Sequence, residues 1–211
     1  TTFSLLKSLI DKDHKPKAYV DARDVKQIEK KTLDLLKYHS IPFYPKSEIE
    51  SCEGKNEIKK VIINSKKGHI TKIKASMLCI SGGLNPDIHL FTQSKGLVKW
   101  DEKILTFKPE KSFQNTITLG SVSGNFTFGK IIDEVNKKLS FLEKVNNLKL
   151  DIDTFGPDKF NIKEIWESKN LKKSLWSKSF IDLQNDVTTK DLRQAIREGF
   201  DRIEHLKRFT T

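Results

Sequence analysis

Cysteine is scarce in this sequence. Only Cys52 and Cys79 occur, far apart and with no CxxC pair. Zinc ribbons and cysteine-ligated clusters need closely spaced ligands, so this chain cannot build either. One cysteine lies in a polar stretch and the other in an apolar one, which favours reduced cytosolic thiols over a disulfide. Long apolar runs are also missing. The longest mostly apolar stretch, 75–86, is shorter than the roughly 20 residues that span a bilayer, and it contains Gly82 and Gly83. No secretory signal opens the chain, because Lys7 follows Leu5 and Leu6 and charges recur from Asp11 onward. These absences argue for the cytoplasm and against a membrane or secreted protein. Catalytic signatures are absent in the same way. His14, His39, His69, His89 and His205 form neither HxH nor HExxH, and there is no GxSxG elbow and no GxGxxG turn. No catalytic residue and no metal ligand is assigned.

The chain has 211 residues and weighs 24.3 kDa, enough for one large domain or two small ones. Hydrophobic residues make up 36% and charged residues 32%, and 13 Phe supply core material. The net charge of +11, from 39 Lys and Arg against 28 Asp and Glu, raises the question of nucleic acid. Most of that charge is lysine spread along the whole chain, and such lysines cover ordinary solvated faces. That reading outweighs a dedicated nucleic-acid groove. Arginines gather only near the end, at Arg193, Arg197, Arg202 and Arg208.

Periodicity gives an alternating order. Thr1 to Ile10 predicts a helix, with Leu5, Leu6, Leu9 and Ile10 on one face. Lys17 to Asp21 predicts a short strand. Asp24 to His39 predicts a second helix striped by Val25, Ile28, Thr32, Leu35 and Leu36. Ile41 to Tyr44 is a short strand candidate, broken by Pro42 and stopped by Pro45. Strand signals follow at Ser47–Glu53, Glu57–Ser65 and His69–Lys74. Ser76 to Ile80 reads as a strand buried on both faces, leading into Ser81-Gly82-Gly83. Asn115 to Leu119 reads as a strand, followed by Gly120 to Asn125 and a helix over Ile131 to Leu142. Lys144 to Ser179 is polar and reads as a linker with local helix. Phe180 to Leu183 is a strand or extended entry, and Asn185 to Thr188 is a turn. Thr188 to Lys207 reads as one helix, with Thr188 as N-cap and Asp191 in capping-box position. The pattern is α/β, but it opens on a helix where such sheets open on a strand and a glycine-rich turn. Both ends therefore read as cut, inside larger domains.

The residues taken alone leave choices open. The Gly82-Gly83 turn is either a wall of a nucleotide site or a tight turn at a strand end. Asp21 is either a ribose-binding acid or a helix cap shared with Asp24, and Arg23 beside it suits a phosphate. Asp182 and Asp186 read as caps.

Three segments together go further. They are Ala18-Tyr19-Val20-Asp21-Ala22-Arg23; Ser81-Gly82-Gly83-Leu84-Asn85-Pro86 with His89-Leu90-Phe91-Thr92-Gln93-Ser94; and Phe180-Ile181-Asp182-Leu183-Gln184-Asn185-Asp186-Val187-Thr188, continuing through Arg197-Glu198-Gly199-Phe200 to Glu204-His205-Leu206-Lys207-Arg208-Phe209-Thr210-Thr211. In this order and spacing they resemble the α subunit of heterotetrameric sarcosine oxidase. The resemblance implies an α/β fold: an incomplete dinucleotide-binding, Rossmann-like (FAD/NAD(P)-binding) fold with a β-meander, then a linker, then the start of an α+β aminomethyltransferase-like folate-binding domain. The boundaries are 1–142, 143–178 and 179–211. Within the first part, residues to Leu84 finish the second of two interleaved dinucleotide folds, and Asn85 to about Phe141 return to the first.

The resemblance also implies an oxidoreductase subunit taking part in oxidative demethylation of sarcosine to glycine. Hydrogen peroxide is formed and the one-carbon unit passes to tetrahydrofolate. It implies NAD in this subunit, FMN shared with the β subunit, FAD in the β subunit, and β, γ and δ subunits as partners, with no nucleic acid and no membrane. In flavin-bearing relatives a Gly-Asp turn lies near the ribityl chain; the matching place here is Gly120-Ser121, without the acid, which fits NAD. The cofactor-binding candidates are Gly82, Gly83, Gly120 and Ser121 for close backbone approach, and Lys207, Arg208 and Thr210 for the FMN edge or a subunit contact. Lys207 and Arg208 also suit a helix C-terminus as cations. The chain is expected to be inactive alone. The alternatives are a subunit of a related N-methyl amino-acid dehydrogenase acting on N-methylglutamate, and a non-catalytic basic binding module.

Overall fold

In the computed structural model, which describes residues 2–66, 68–139, 162–168 and 171–211, helix α1 (Thr2–Asp11) lays Leu6 and Ile10 against Tyr19, Leu36 and Ile41. Residues divide into two units, Thr1–Glu164 and Ile165–Thr211. In the first, β1 (Tyr19–Asp21) and β2 (Phe43–Pro45) run parallel, with Tyr19 opposite Phe43. Parallel strands need a crossover, and α2 (Lys30–Tyr38) supplies it, burying Thr32 and Leu36. The Tyr19 and Phe43 rings meet at 5.6 Å.

The meander follows as β3 (Ser47–Glu53), β4 (Lys60–Ser65) and β5 (Ile70–Lys74), antiparallel with β4 in the centre. A central strand meets neighbours on both edges, and Val61, Ile62 and Ile63 are buried. Asn64 Nδ2 donates to Glu50 Oε2 at 3.3 Å inside this sheet, so one of its buried polar groups is paired across the strands. Helix α3 (His89–Gln93) buries Phe91. The strands β6 (Leu97–Asp101) and β7 (Thr106–Lys111) form a hairpin in which Trp100 faces Phe107, ring centroids 5.2 Å apart. Asp101 closes its turn by accepting from the Lys103 and Ile104 N–H groups.

Several sequence expectations change. The second helix does not run from Asp24 to His39. Asp24 accepts from Lys26 N–H and receives the Gln27 side chain on its own N–H, which closes a 3-10 turn, Val25–Gln27; extended backbone at Ile28 then separates that turn from α2. Ser76 to Ile80 is not a buried strand. Residues 75–88 have no regular structure, and Met77 and Ile80 are 71% and 81% exposed. A strand exists only through a neighbour's hydrogen bonds, and no described strand lies beside this segment. Asn115 to Leu119 is likewise irregular. Helix α4 spans Phe128–Lys138, earlier than expected. The predicted helix end at 140–142 and the linker over 144–161 lie outside the described residues. The hairpin β6–β7 and helix α3 were not anticipated.

The second unit has a 3-10 helix (Lys173–Lys178), a short antiparallel pair, β8 (Phe180–Asp182) and β9 (Val187–Thr188), and helices α5 (Thr189–Arg197) and α6 (Ile203–Thr210). The expected single helix from Thr188 to Lys207 is two. Gly199 sits at φ +92°, its N–H donates to Ile196 O, and Phe200 N–H donates to Ala195 O, both at 3.0 Å. This reciprocal pair is the Schellman closure, which needs a left-handed residue that glycine supplies without steric cost.

Candidate functional site

The glycine turn of the first unit is organised by one carboxylate. Gly120–Ser123 form a 3-10 turn, with Gly120 at φ +67°. Helix α4 brings Glu134 back over it. Glu134 Oε2 accepts from Gly120 N–H at 2.9 Å and from Asn125 Nδ2 at 2.8 Å, and Oε1 accepts from Lys138 Nζ at 2.6 Å. Lys138 also donates to Thr118 O at 2.9 Å, tying helix to turn on the other side. Burial pushes the Glu134 carboxyl up, but the donors Lys138, Asn125 and Gly120 outweigh burial and hold it below the usual glutamate range. Sequence reasoning selected Gly120 and Ser121 but missed Glu134. Its sign was one of two neighbouring acids, Asp133 and Glu134, in the helix 128–138, fourteen residues after the glycine.

The candidates therefore differ in their surroundings. The Gly120 N–H is buried and already donates to an anion of the chain itself, so it does not fit a dinucleotide phosphate as it stands. Ser121 is exposed. Gly82 and Gly83 lie in the irregular 75–88 segment; an added Cβ at Gly82 would meet nothing within 4 Å, and one at Gly83 would meet only Ile162 Cδ1 at 3.8 Å. That is open backbone, not a cradle. Asp21 is committed as well. Arg23 donates to it through Nε at 3.0 Å, through a terminal nitrogen at 2.8 Å and through its backbone N–H at 2.9 Å. The helix cap is Asp24, not Asp21.

In the second unit, Asp191 accepts from the Thr188 N–H at 2.9 Å and from its hydroxyl at 2.6 Å, which fixes the start of α5. Those bonds hold the Asp191 carboxyl below the usual range. Asp182 ends β8 and is a turn-former rather than the helix cap the sequence suggested, accepting from Gln184 N–H and from Asn185 Nδ2. On α6, Lys207 and Arg208 are exposed, and no described carboxylate lies within ion-pair distance of either. They fit an anionic group by charge. Thr210 does not offer its proton, because its hydroxyl donates to Leu206 O at 2.9 Å. The structure thus places Lys207, Arg208 and Thr210 on one helix, and Gly82–Gly83 and Gly120–Ser121 on two separate loops of the first unit.

Comparison with known proteins bears on these segments. The family model described as the sarcosine oxidase A3 domain matches residues 176–211. Sarcosine oxidase subunit alpha of Corynebacterium sp. (strain P-1) is 25% identical over 153 residues, 68% of this chain and 16% of that protein. The subunit of Rhizobium meliloti (strain 1021) is 26% identical over 151 residues, 68% of this chain and 15% of that protein. This chain is similar to the sarcosine oxidase alpha subunit. It spans about one sixth of the length of these curated relatives. Among solved structures, L-proline dehydrogenase from P. horikoshii matches with a TM-score of 0.50 and 18% identity, covering 97% of this chain and 42% of that one. At that identity the likeness concerns the fold alone, and it agrees with a mixed α/β arrangement. Among the described residues no helix is long and apolar enough to cross a membrane, and no cluster of His, Cys, Asp and Glu suits a metal ion.

Proposed function

We propose that this chain is a segment of the α subunit of a sarcosine-oxidising flavoenzyme complex. The observation that carries the proposal is the likeness to sarcosine oxidase α subunits over 68% of the chain. The complex converts sarcosine to glycine, reduces oxygen to hydrogen peroxide and passes the one-carbon unit to tetrahydrofolate. In this reading residues 1–142 contribute an incomplete Rossmann-like fold to paired dinucleotide-binding domains. Residues 179–211 stand at the entry to the folate-binding, aminomethyltransferase-like part, and β, γ and δ subunits complete the assembly. The flavins supply electron transfer when bound.

This chain's own residues hold and position. Lys207 and Arg208, with no carboxylate within ion-pair distance among the described residues, would offer positive charge to the phosphate of FMN at the border with the β subunit. The Schellman closure at Gly199 sets the direction in which α6 carries them. Glu134 fixes the Gly120–Asn125 turn, so this turn acts as a rigid corner; the Gly120 N–H is taken, and exposed Ser121 would be the residue of this turn left to meet NAD. Gly82 and Gly83 leave backbone open to approach. The two alternatives are weaker. The relatives matched are named for sarcosine oxidase, and the +11 charge is spread lysine with no nucleic-acid motif.

The test is to co-express the complete polypeptide containing this sequence with its partner subunits and follow oxygen uptake. Sarcosine-dependent peroxide formation is the expected result. A folded, flavin-loaded complex that oxidises N-methylglutamate in preference to sarcosine, or neither, refutes the proposal.

A further inference from the structure

The second unit contains a cleft that none of these assignments uses. One wall is the 3-10 helix Lys173–Lys178 and the other is α5; Lys173 and Trp176 line it from the first, and Lys190, Arg193, Gln194, Ile196 and Arg197 from the second. Its volume is about 540 Å³, within the range of pockets that hold small organic ligands. The walls are fixed to each other. Thr189 donates from its hydroxyl to Trp176 O at 3.1 Å and from its N–H to Ser179 O at 2.9 Å. Ala195 beneath is fully buried. The cleft is therefore preformed.

Its chemistry is two-sided. Trp176 and the half-exposed Ile196 give it an apolar side. The Arg193 guanidinium lies over the Trp176 indole at 4.6 Å, and Lys173 lies over it at 6.0 Å. Arg193 is also ion-paired to Glu167, so its charge already has a partner. Lys173, Lys190 and Arg197 have no carboxylate within ion-pair distance among the described residues. Three cations that lack a carboxylate within ion-pair distance among the described residues, gathered beside an aromatic ring, suit a ligand that is flat at one end and multiply anionic at the other. A fully polar anion would leave Trp176 and Ile196 unused, and an apolar ligand would leave three cations unpaired.

We propose that this cleft binds a nucleoside phosphate, with the base against the Trp176–Arg193 stack and the phosphates on Lys190, Arg197 and Lys173. None of Lys207, Arg208 and Thr210 lines it, so it is separate from the FMN assignment and stands or falls without the sarcosine oxidase reading.

The test is calorimetric titration of the full chain at low salt with ADP, tripolyphosphate, adenosine and an acidic peptide as probes. The expected result is saturable one-to-one ADP binding that weakens with salt. Lys190→Gln and Arg197→Gln each weaken it about tenfold, since each removes a charge-assisted bond. Trp176→Leu weakens ADP roughly tenfold but leaves tripolyphosphate unchanged, because only the base uses the ring. The two exposed substitutions do not disturb the core, and thermal unfolding checks that Trp176→Leu stays folded. If it unfolds, the two exposed variants decide alone. No saturable ADP binding overturns the proposal. So does adenosine binding as tightly as ADP, tripolyphosphate binding as tightly as ADP, or the acidic peptide binding where ADP does not.

Discussion

Glu134 is the residue whose removal tests the architecture of the first unit most directly. Its side chain is 9% exposed and accepts three hydrogen bonds, two of them on one oxygen. Lys138 is exposed, so its contribution is screened and small, a few tenths of a kcal/mol. Gly120 N–H and Asn125 Nδ2 are sheltered, and bonds to a charged acceptor contribute about 1.5 kcal/mol each at the low end. Glu134→Ala removes both and leaves the buried Gly120 N–H without a partner, so the cost is about 2–3 kcal/mol. Glu134→Gln keeps the shape and one acceptor oxygen but loses the charge, and costs about 1–2 kcal/mol. Because the folded pKa of Glu134 is depressed, its stabilisation is fully present above the unfolded value of about 4.3 and is lost as pH falls through the lower folded value. The assay is urea unfolding across pH, paired with amide exchange at Gly120. Wild type loses Gly120 protection on acidification; in Glu134→Gln, Gly120 exchange no longer follows pH in this way, and the unfolding profile keeps only the acid-side dependence of the other depressed carboxyls, Asp101 and Asp191 among them. If Glu134→Gln leaves both the urea midpoint and Gly120 exchange as in wild type, the carboxylate does not hold the turn.

Three other outcomes follow from the same geometry. Ile63, 2% exposed in the central strand β4, leaves a cavity on Ile63→Ala and costs about 2–5 kcal/mol in urea unfolding; a loss below 1 kcal/mol means the meander core repacks freely. An added Cβ at Gly199 meets no atom within 4 Å, so Gly199→Ala costs about 1–2 kcal/mol purely through its left-handed backbone, measured by thermal unfolding; no shift means the helix break does not depend on it. Asp21→Asn breaks the bidentate contact with Arg23 and lowers stability by about 1 kcal/mol; unchanged stability with lost nucleotide binding would restore the ribose role for Asp21.

Local signals were legible wherever short-range physics decides. Alternation located the three meander strands, and β3 matches residue for residue. The Thr188–Asp191 cap also sits where its spacing put it. What failed depended on neighbours. Ser76 to Ile80 has the composition of a buried strand, yet no described strand lies beside it to pair with. The break between α5 and α6 was written in Gly199, but the apolar stripe running through Ile196 and Ile203 concealed it. At the candidate sites, glycines were visible as turn-formers while Glu134, which occupies the turn, was not. An acid among the lysines of a helix looks like ordinary surface until the chain folds back fourteen residues.

The bend at Gly199 has an outcome that no melting curve reports. It returns α6 so that Phe209 rests on Phe200, ring centroids 4.8 Å apart, and Lys207 and Arg208 travel with that aromatic hinge. A residue without a side chain thereby decides where two positive charges are presented. Compensating mutations elsewhere would recover the lost heat resistance of a Gly199 variant, yet the charges would still point the wrong way.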